Sequence, residues 1–506
     1  LLRSYGHKKY PLQIQAAEKF KENDMIITLD DGRRVPVEMH RVKIVQKINL
    51  LPAEERLKCL RDVGYNTFLL QSQDVFLDML TDSGTNAMSD NQLAAMMVAD
   101  DAYAGSASFT KLAKVVKKIF GFQHTLPVHQ GRAAEHLLVK VLLKPPQVVL
   151  NNYHFPSTRV HVEIVGSQIL DLVPDDSLIP AGSNPFKGNI DLAKLRNAIE
   201  QHGPENVAFI RMEATTNLIG GQPFSMQNLK EVREIATKNG ILLILDGSLI
   251  GENAYFIKKR EAGYANKSIQ EILLEMMGMV DIFYMSGRKS GGARGGLIAT
   301  NNKQHFDALM NWLPVYEGFS TYGGMSTKEI EAMAVGLEEM TQTEVAGSSP
   351  EYIQYLAERL QGYGVPVVTP PGGLACHVDA RAFLPHIPPL QYPAECLNAA
   401  MYLASGARGV ERGTMSEDRD RSGNEIVARM ELVRIAVPRR AFTLGQMEYV
   451  AQRVSWLYRH RDLIGGLRFV EEPPVMRFFF GRLEPLGGDW GRKVVDAFRA
   501  DFGNDL

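Results

Sequence analysis

From about residue 86 to residue 345 the chain alternates short apolar runs with helical patterns, and that alternation leaves few folds open. The runs at 148–151, 206–212, 241–246, 281–285 and 296–300 are rich in Val, Ile, Leu and Phe. Between them the spacing of apolar residues predicts helices over 132–144, 192–202, 228–239 and 268–277. Strands apolar on both faces, each followed by a helix, read as an α/β domain whose largely parallel sheet is covered on both sides. In such sheets ligands sit beyond the carboxyl ends of the strands. Asp246 and the segment from Ser286 to Lys289 each fall at such an end.

Outside this region the texture changes. Residues 1–34 mix charge with short apolar pieces and end in the turn-forming Asp30-Asp31-Gly32, which reads as an arm without evident chemistry. A helix is expected over 51–64, closed by Gly64. After 345, helices at 351–362, 394–405 and 446–459 alternate with short strands at 365–368 and 434–437, giving a smaller α+β unit over 346–506. The stretch 413–423 (GTMSEDRDRSG) is polar and glycine-flanked, and reads as a mobile surface loop.

Composition removes several function classes. At 506 residues the chain exceeds one compact core, so two domains are expected. A formal net charge of -2 offers no basic footprint for nucleic acid. Cys59, Cys376 and Cys396 have no close spacing, which excludes a cysteine zinc cage or disulfide framework and fits a reducing cytoplasm. No apolar stretch approaches the roughly 18 residues of a membrane span, and the first residues lack the apolar core of a signal peptide.

Three short segments carry chemistry. His129-Gln130-Gly131-Arg132 precedes a helix, so it is either a phosphate cradle of backbone amides or a plain turn. Asp246 ends an apolar run, and is either a carboxylate awaiting a cationic partner, such as a protonated pyridine nitrogen, or a helix cap. Ser286-Gly287-Arg288-Lys289-Ser290-Gly291-Gly292 follows a strand. There Lys289 is either a Schiff-base lysine beside the charge-depressing Arg288 or part of a solvated surface. Their order and their places at strand ends suit a site for pyridoxal phosphate (PLP).

Longer words narrow the reading. LTDSGTNAMSDNQ (80–92), DDAYAGS (100–106), VHQGRAAE (128–135), NLIGGQP (217–223), ENAYFIK (252–258) and YEGFSTYGG (316–324) resemble the β-eliminating lyase family. The match is to its tyrosine phenol-lyase branch, with tryptophanases sharing several words in weaker form, and it runs from about residue 35 to 482. The resemblance implies an aspartate-aminotransferase-type fold (fold type I): a large PLP domain over 86–345 and a smaller domain from both chain ends, 35–85 and 346–506. It implies a homotetramer of paired dimers with active sites shared between subunits. Lys289 would hold PLP and remove the substrate α-proton. Asp246 would pair with the pyridine nitrogen, and Gln130, Gly131, Arg132 and Ser286 would bind the phosphate. Phe155 would stack on the ring and Asn217 would face its phenolic oxygen. Arg434 would clamp the substrate α-carboxylate. Tyr103 would protonate the leaving group, with Tyr322 nearby from a neighbouring subunit. Thr81, Phe68, Arg412, Phe478 and Phe479 would line the side-chain pocket, Arg412 as the residue that recognises a phenol. Asp101 aligns with a potassium-binding Glu of the family. The products would be pyruvate and ammonia.

This chain also departs from the family. Leu249 stands where the family has an arginine near the cofactor, and Pro156 replaces the threonine that contacts the phenol hydroxyl. Arg288 replaces a lysine, and the loop after Lys289 is shorter and richer in glycine. Proline has no hydroxyl and no N–H, so an amino acid other than tyrosine is expected as the best substrate. Three functions remain in view: β-elimination; redirected PLP chemistry (β-replacement, reductive deamination or transamination); and PLP binding without catalysis. Lys289, Asp246, Tyr103 and Arg434 together argue against the last.

Overall fold

The structure is a computed structural model describing residues 25–420 and 422–503, so most of the N-terminal arm, residue 421 of the polar loop and the last three residues lie outside the described part. Seven strands form the central sheet. From one edge to the other they are His124–Val128, Gly296–Thr300, Ile282–Ser286, Leu242–Asp246, Val207–Glu213, Val148–Asn151 and Gln168–Asp171. Gly296–Thr300 runs antiparallel to both neighbours, and every other pairing is parallel. The interior strands are apolar on both faces because helices cover both, one face packing on Gly131–Leu142 and the other on Ala107–Phe120 and Thr327–Met340.

A second apolar core gathers residues from both chain ends around Pro393–Ser405, a helix buried on every face. Glu395 on that helix ties the two ends together: its carboxylate accepts hydrogen bonds from the N–H and hydroxyl of Thr67, both at 2.9 Å. A three-stranded antiparallel sheet, Ala375–Asp379, Leu432–Ala436 and Val410–Arg412, completes this unit.

Three expectations are corrected. Residues 365–368 form no strand; Pro366 lacks an N–H, and only an isolated bridge from Val367 to Val378 remains. Residues 25–36 are not a featureless arm: Ile26–Thr28 pairs with Arg34–Pro36, and Met25 and Val35 enter the two cores. The polar loop is anchored at its start, where Thr414 and Met415 are buried and the carbonyl of Thr414 accepts from Arg477 at 2.9 Å.

Candidate active site

One cavity of about 210 Å³ lies at the carboxyl ends of the parallel strands. It is lined by Phe68, Thr81, Gly131, Arg132, Phe155, Asn217, Asp246, Ser286, Lys289, Arg412, Arg434, Phe478 and Phe479. Thirteen positions singled out from the sequence thus converge on one space.

At one end, the chain leaves His124–Val128 and starts a helix at Gly131. Gln130 is the extended N-cap residue, and no side chain caps the first turn. The first N–H groups are therefore open to an anion, with the helix dipole in its favour. A Cβ on Gly131 would lie 3.1 Å from the Ser286 Cβ and 3.2 Å from its N, so any larger residue would push the helix start and the strand end apart by a few tenths of an ångström. The Ser286 hydroxyl and these amides form a cradle suited to a phosphate. Gln130 caps the helix beside the cavity and is absent from its lining.

At the other end sits Asp246, 5 % exposed. One of its oxygens accepts from the Ser248 N–H at 3.0 Å and hydroxyl at 2.7 Å; the other accepts from Arg211 Nη2 at 2.6 Å. Arg211 is buried beneath the site and also donates to the Tyr284 hydroxyl at 2.8 Å and to Asn151 at 3.1 Å. Two further carboxyls flank it, Glu213 at 3.5 Å and Glu135 at 3.7 Å. Register explains the grouping: Glu213 pairs with Asp246, and Asp246 with Tyr284, so alternate residues of three strands present polar groups on one face. Burial, with the charge of Asp246 adding, pushes the Glu213 carboxyl up to about 7 against the pull of Arg211 and Lys289. Burial raises Glu135 too, although Ser157, Thr158 and Tyr284 donate to it. Sequence reasoning missed Arg211, Glu213, Glu135 and Tyr284. The available signal was Arg211 and Glu213 at i and i+2 in the otherwise apolar VAFIRME.

Between the two ends, the Lys289 amine lies 5.5 Å from the centre of the Phe155 ring. The loop holding it is fixed through its backbone: Asn86 donates to the Lys289 carbonyl at 3.0 Å, as does the Gly292 N–H at 2.9 Å. Arg288 turns to Ser83, donating to its hydroxyl at 3.2 Å.

Arg434 faces the cavity at 4 % exposure. It donates to Asn217 and to the Leu80 carbonyl, each at 2.9 Å, and its Nε is buried without a hydrogen-bond partner. Among the described residues it forms no ion pair. Burial, aided by the charge of Arg412, brings Arg434 down to about 9, with Asp82 opposing. Arg412 is brought down to about 10 by burial and stands 5.5 Å from the Phe478 ring centre. Such guanidiniums fit a ligand that brings its own anion. Phe68, Phe478 and Phe479 pack mutually edge-on or tilted, with Phe68 4.8 Å from Phe479, and make an apolar wall.

Tyr103, Tyr322 and Asp101 are not brought to this cavity. Tyr103 is 68 % exposed, stacks on Phe319 at 5.5 Å and meets Tyr322 edge-on at 5.4 Å. Asp101 accepts from the Thr327 hydroxyl at 3.1 Å. Among the described residues no cluster of three or more His, Cys, Asp or Glu side chains is arranged to hold a metal ion. Pro156 lines the cavity as the first residue of the helix Pro156–Ile164, a position where proline costs no hydrogen bond. Leu249 does not line it; it is buried against Leu374, Ala375 and Ala436 at the seam with the smaller unit.

Comparison with known proteins agrees with this geometry. The family model described as "Beta-eliminating lyase" matches residues 78–453. A tyrosine phenol-lyase of Symbiobacterium thermophilum is 44 % identical over 451 residues, covering 89 % of this chain and 98 % of that protein. One of Clostridium tetani is 43 % identical, covering 90 % and 99 %. Among solved structures, the serine palmitoyltransferase of Sphingomonas wittichii superimposes with a TM-score of 0.55 at 14 % identity, over 77 % of this chain and 88 % of that one. The aromatic aminotransferase of Pyrococcus horikoshii OT3 gives 0.55 at 14 %, over 81 % and 100 %. These share the fold, the type I fold of PLP enzymes.

Proposed function

The chain belongs to the β-eliminating lyase family, and on that premise we propose that it uses PLP to release pyruvate and ammonia from a β-substituted aromatic L-amino acid. The observation that carries this is the single cavity joining Lys289, Asp246, the Gly131–Ser286 cradle and Arg434. When bound, PLP supplies an electron sink for the carbanion formed at the substrate α-carbon.

The chain's own residues supply the rest. The amides at Gly131 and Arg132 and the Ser286 hydroxyl hold the phosphate. Phe155 would pack against the ring, and Asp246 would pair with its nitrogen. Lys289 would hold the cofactor through its amine, and the same Nζ would take the substrate α-proton. Arg434 orients the α-carboxylate so that this proton points at Lys289. Phe68, Phe478 and Phe479 exclude water around the β-substituent, and Arg412 and Thr81 face its far end.

Pyruvate release from S-(o-nitrophenyl)-L-cysteine, with PLP and potassium added, tests the proposal. This thiolate leaves without ring protonation, so the assay reads the Lys289 machinery alone. Prompt pyruvate is expected. Its absence, with PLP visibly bound, would move the assignment to β-replacement, reductive deamination or transamination on the same scaffold.

Pro156 supports a substrate other than tyrosine. The variant Pro156→Thr would add a hydroxyl to the cavity that Arg412 also lines, and its tyrosine kcat/KM should rise about tenfold, the worth of one hydrogen bond of about 1.4 kcal/mol. Activity on the S-aryl cysteine should stay within a factor of two to three. No gain on tyrosine would show that another residue sets specificity.

Tyr103, exposed, and Tyr322, half-buried beside it, lie apart from the cavity and fit service to the site of a neighbouring copy in a homotetramer of paired dimers. On an aromatic amino acid whose ring must be protonated to leave, Lys289→Ala and Tyr103→Phe should each be inactive, and mixing them should restore pyruvate release through hybrid sites; no restoration would assign Tyr103 elsewhere. Potassium near Asp101 and a cytoplasmic setting belong to the same reading. No helix among the described residues is long and apolar enough to cross a membrane.

A further inference from the structure

We propose that Glu213 supplies the negative charge that balances a protonated ring nitrogen in this site, because Arg211 has already taken the charge of Asp246. The inference rests on the PLP reading above and concerns how this chain holds that ring.

The argument is a count of charges around Asp246. A pyridinium brings one positive charge to the strand ends. A lone Asp246 would cancel it, but Arg211 Nη2 sits 2.6 Å from that carboxylate and is sealed beneath it at 1 % exposure. The Arg211–Asp246 pair is neutral, so a protonated nitrogen beside it would stand uncompensated in a buried site. Glu213 is placed to supply the missing charge. It is the register partner of Asp246 on the adjacent strand, lines the same cavity, and has one oxygen 3.5 Å from Arg211. Its other oxygen accepts from the N–H of Asn217, another residue of the cavity lining, at 3.3 Å. The charged or titratable groups around it are Arg211 on its own strand, Asp246, Tyr284, Lys289 and Glu135, with Arg434 reaching it through Asn217. Burial and Asp246 bring the Glu213 carboxyl to about 7. It therefore offers its charge to a protonated ring above that pH and withdraws it below. Glu213 acts through charge and does not meet the substrate, so it is a positioning residue. Glu135 is the rival, since it too flanks Arg211 and lines the same cavity; it already accepts from three hydroxyls, those of Ser157, Thr158 and Tyr284, whereas the Glu213 carboxylate accepts from no hydroxyl among the described residues.

Binding of two cofactor analogues to the full-length apoprotein separates the cases. 4-Deoxypyridoxine phosphate keeps the ring nitrogen but lacks the aldehyde, so Lys289 chemistry plays no part. Its counterpart with carbon in place of that nitrogen keeps the shape alone. The wild type should prefer the nitrogen-bearing ligand at least tenfold at pH 8, and lose that preference as the pH falls through about 7. Glu213→Gln should abolish the preference at every pH and leave affinity for the carbon analogue within threefold, whereas Glu135→Gln should keep it. A preference in the wild type that does not change between pH 6 and 8 overturns the proposal even if no variant folds. So does loss of the preference in Glu135→Gln with Glu213→Gln unaffected. Neither readout uses pyruvate release, so an enzyme with no lyase activity would fail the earlier proposal and leave this one standing.

Discussion

The variant Lys289→Ala is expected to release pyruvate from the S-aryl cysteine on the order of 10⁴-fold more slowly than the wild type, because a positioned general base contributes up to about that factor. The loss should be chemical rather than structural. The loop's hydrogen bonds from Asn86 and Gly292 go to the Lys289 main-chain carbonyl, which alanine retains. Near-wild-type thermal unfolding and PLP affinity reduced but measurable are the accompanying results. Partial recovery by added small primary amines would show that the missing element is an amine at this place. A variant within tenfold of the wild type would remove Lys289 from the role.

The variant Arg434→Met should move activity and stability in opposite directions. Without the guanidinium, the substrate carboxylate enters a buried space unpaired, a loss of about 2–5 kcal/mol, so kcat/KM should fall by roughly 30- to 5000-fold. The free protein loses a buried cation that has no ion-pair partner among the described residues and an orphaned Nε. Replacing such a group by an apolar side chain of similar length relieves a desolvation penalty. The unfolding midpoint of the apoprotein should therefore stay level or rise, despite two lost hydrogen bonds at 2.9 Å. A fall in both activity and midpoint would mean that Arg434 is mainly a strut between Asn217 and Leu80.

What could be read from the sequence follows from burial. The interior strands at 148–151 and 296–300 announce themselves because both their faces are covered. The two edge strands did not. His124–Val128 carries Pro127 with only one neighbour, and Gln168–Asp171 is exposed at both its ends. The site divides the same way. Lys289, Asp246 and Arg434 lie in recognisable words at strand ends, whereas Arg211 and Glu213 sit inside a strand. There a charge in sequence suggests solvent, and only the register of three strands shows the carboxyls that receive it. Tyr103 shows the limit of single-chain reasoning: its word is legible, but the cavity it would serve is not beside it in this chain.

Leu249 gives the site a direction in mutational time. Packed at 2 % exposure against Leu374, Ala375 and Ala436, it now helps join the two units. A single change to arginine would bury a cation at that seam among apolar side chains. The return to the family's arrangement is thus closed to one-step substitution. It would open only after the apolar neighbours Leu374, Ala375 and Ala436 had made room for a charge, so the order in which these positions change decides which intermediates fold.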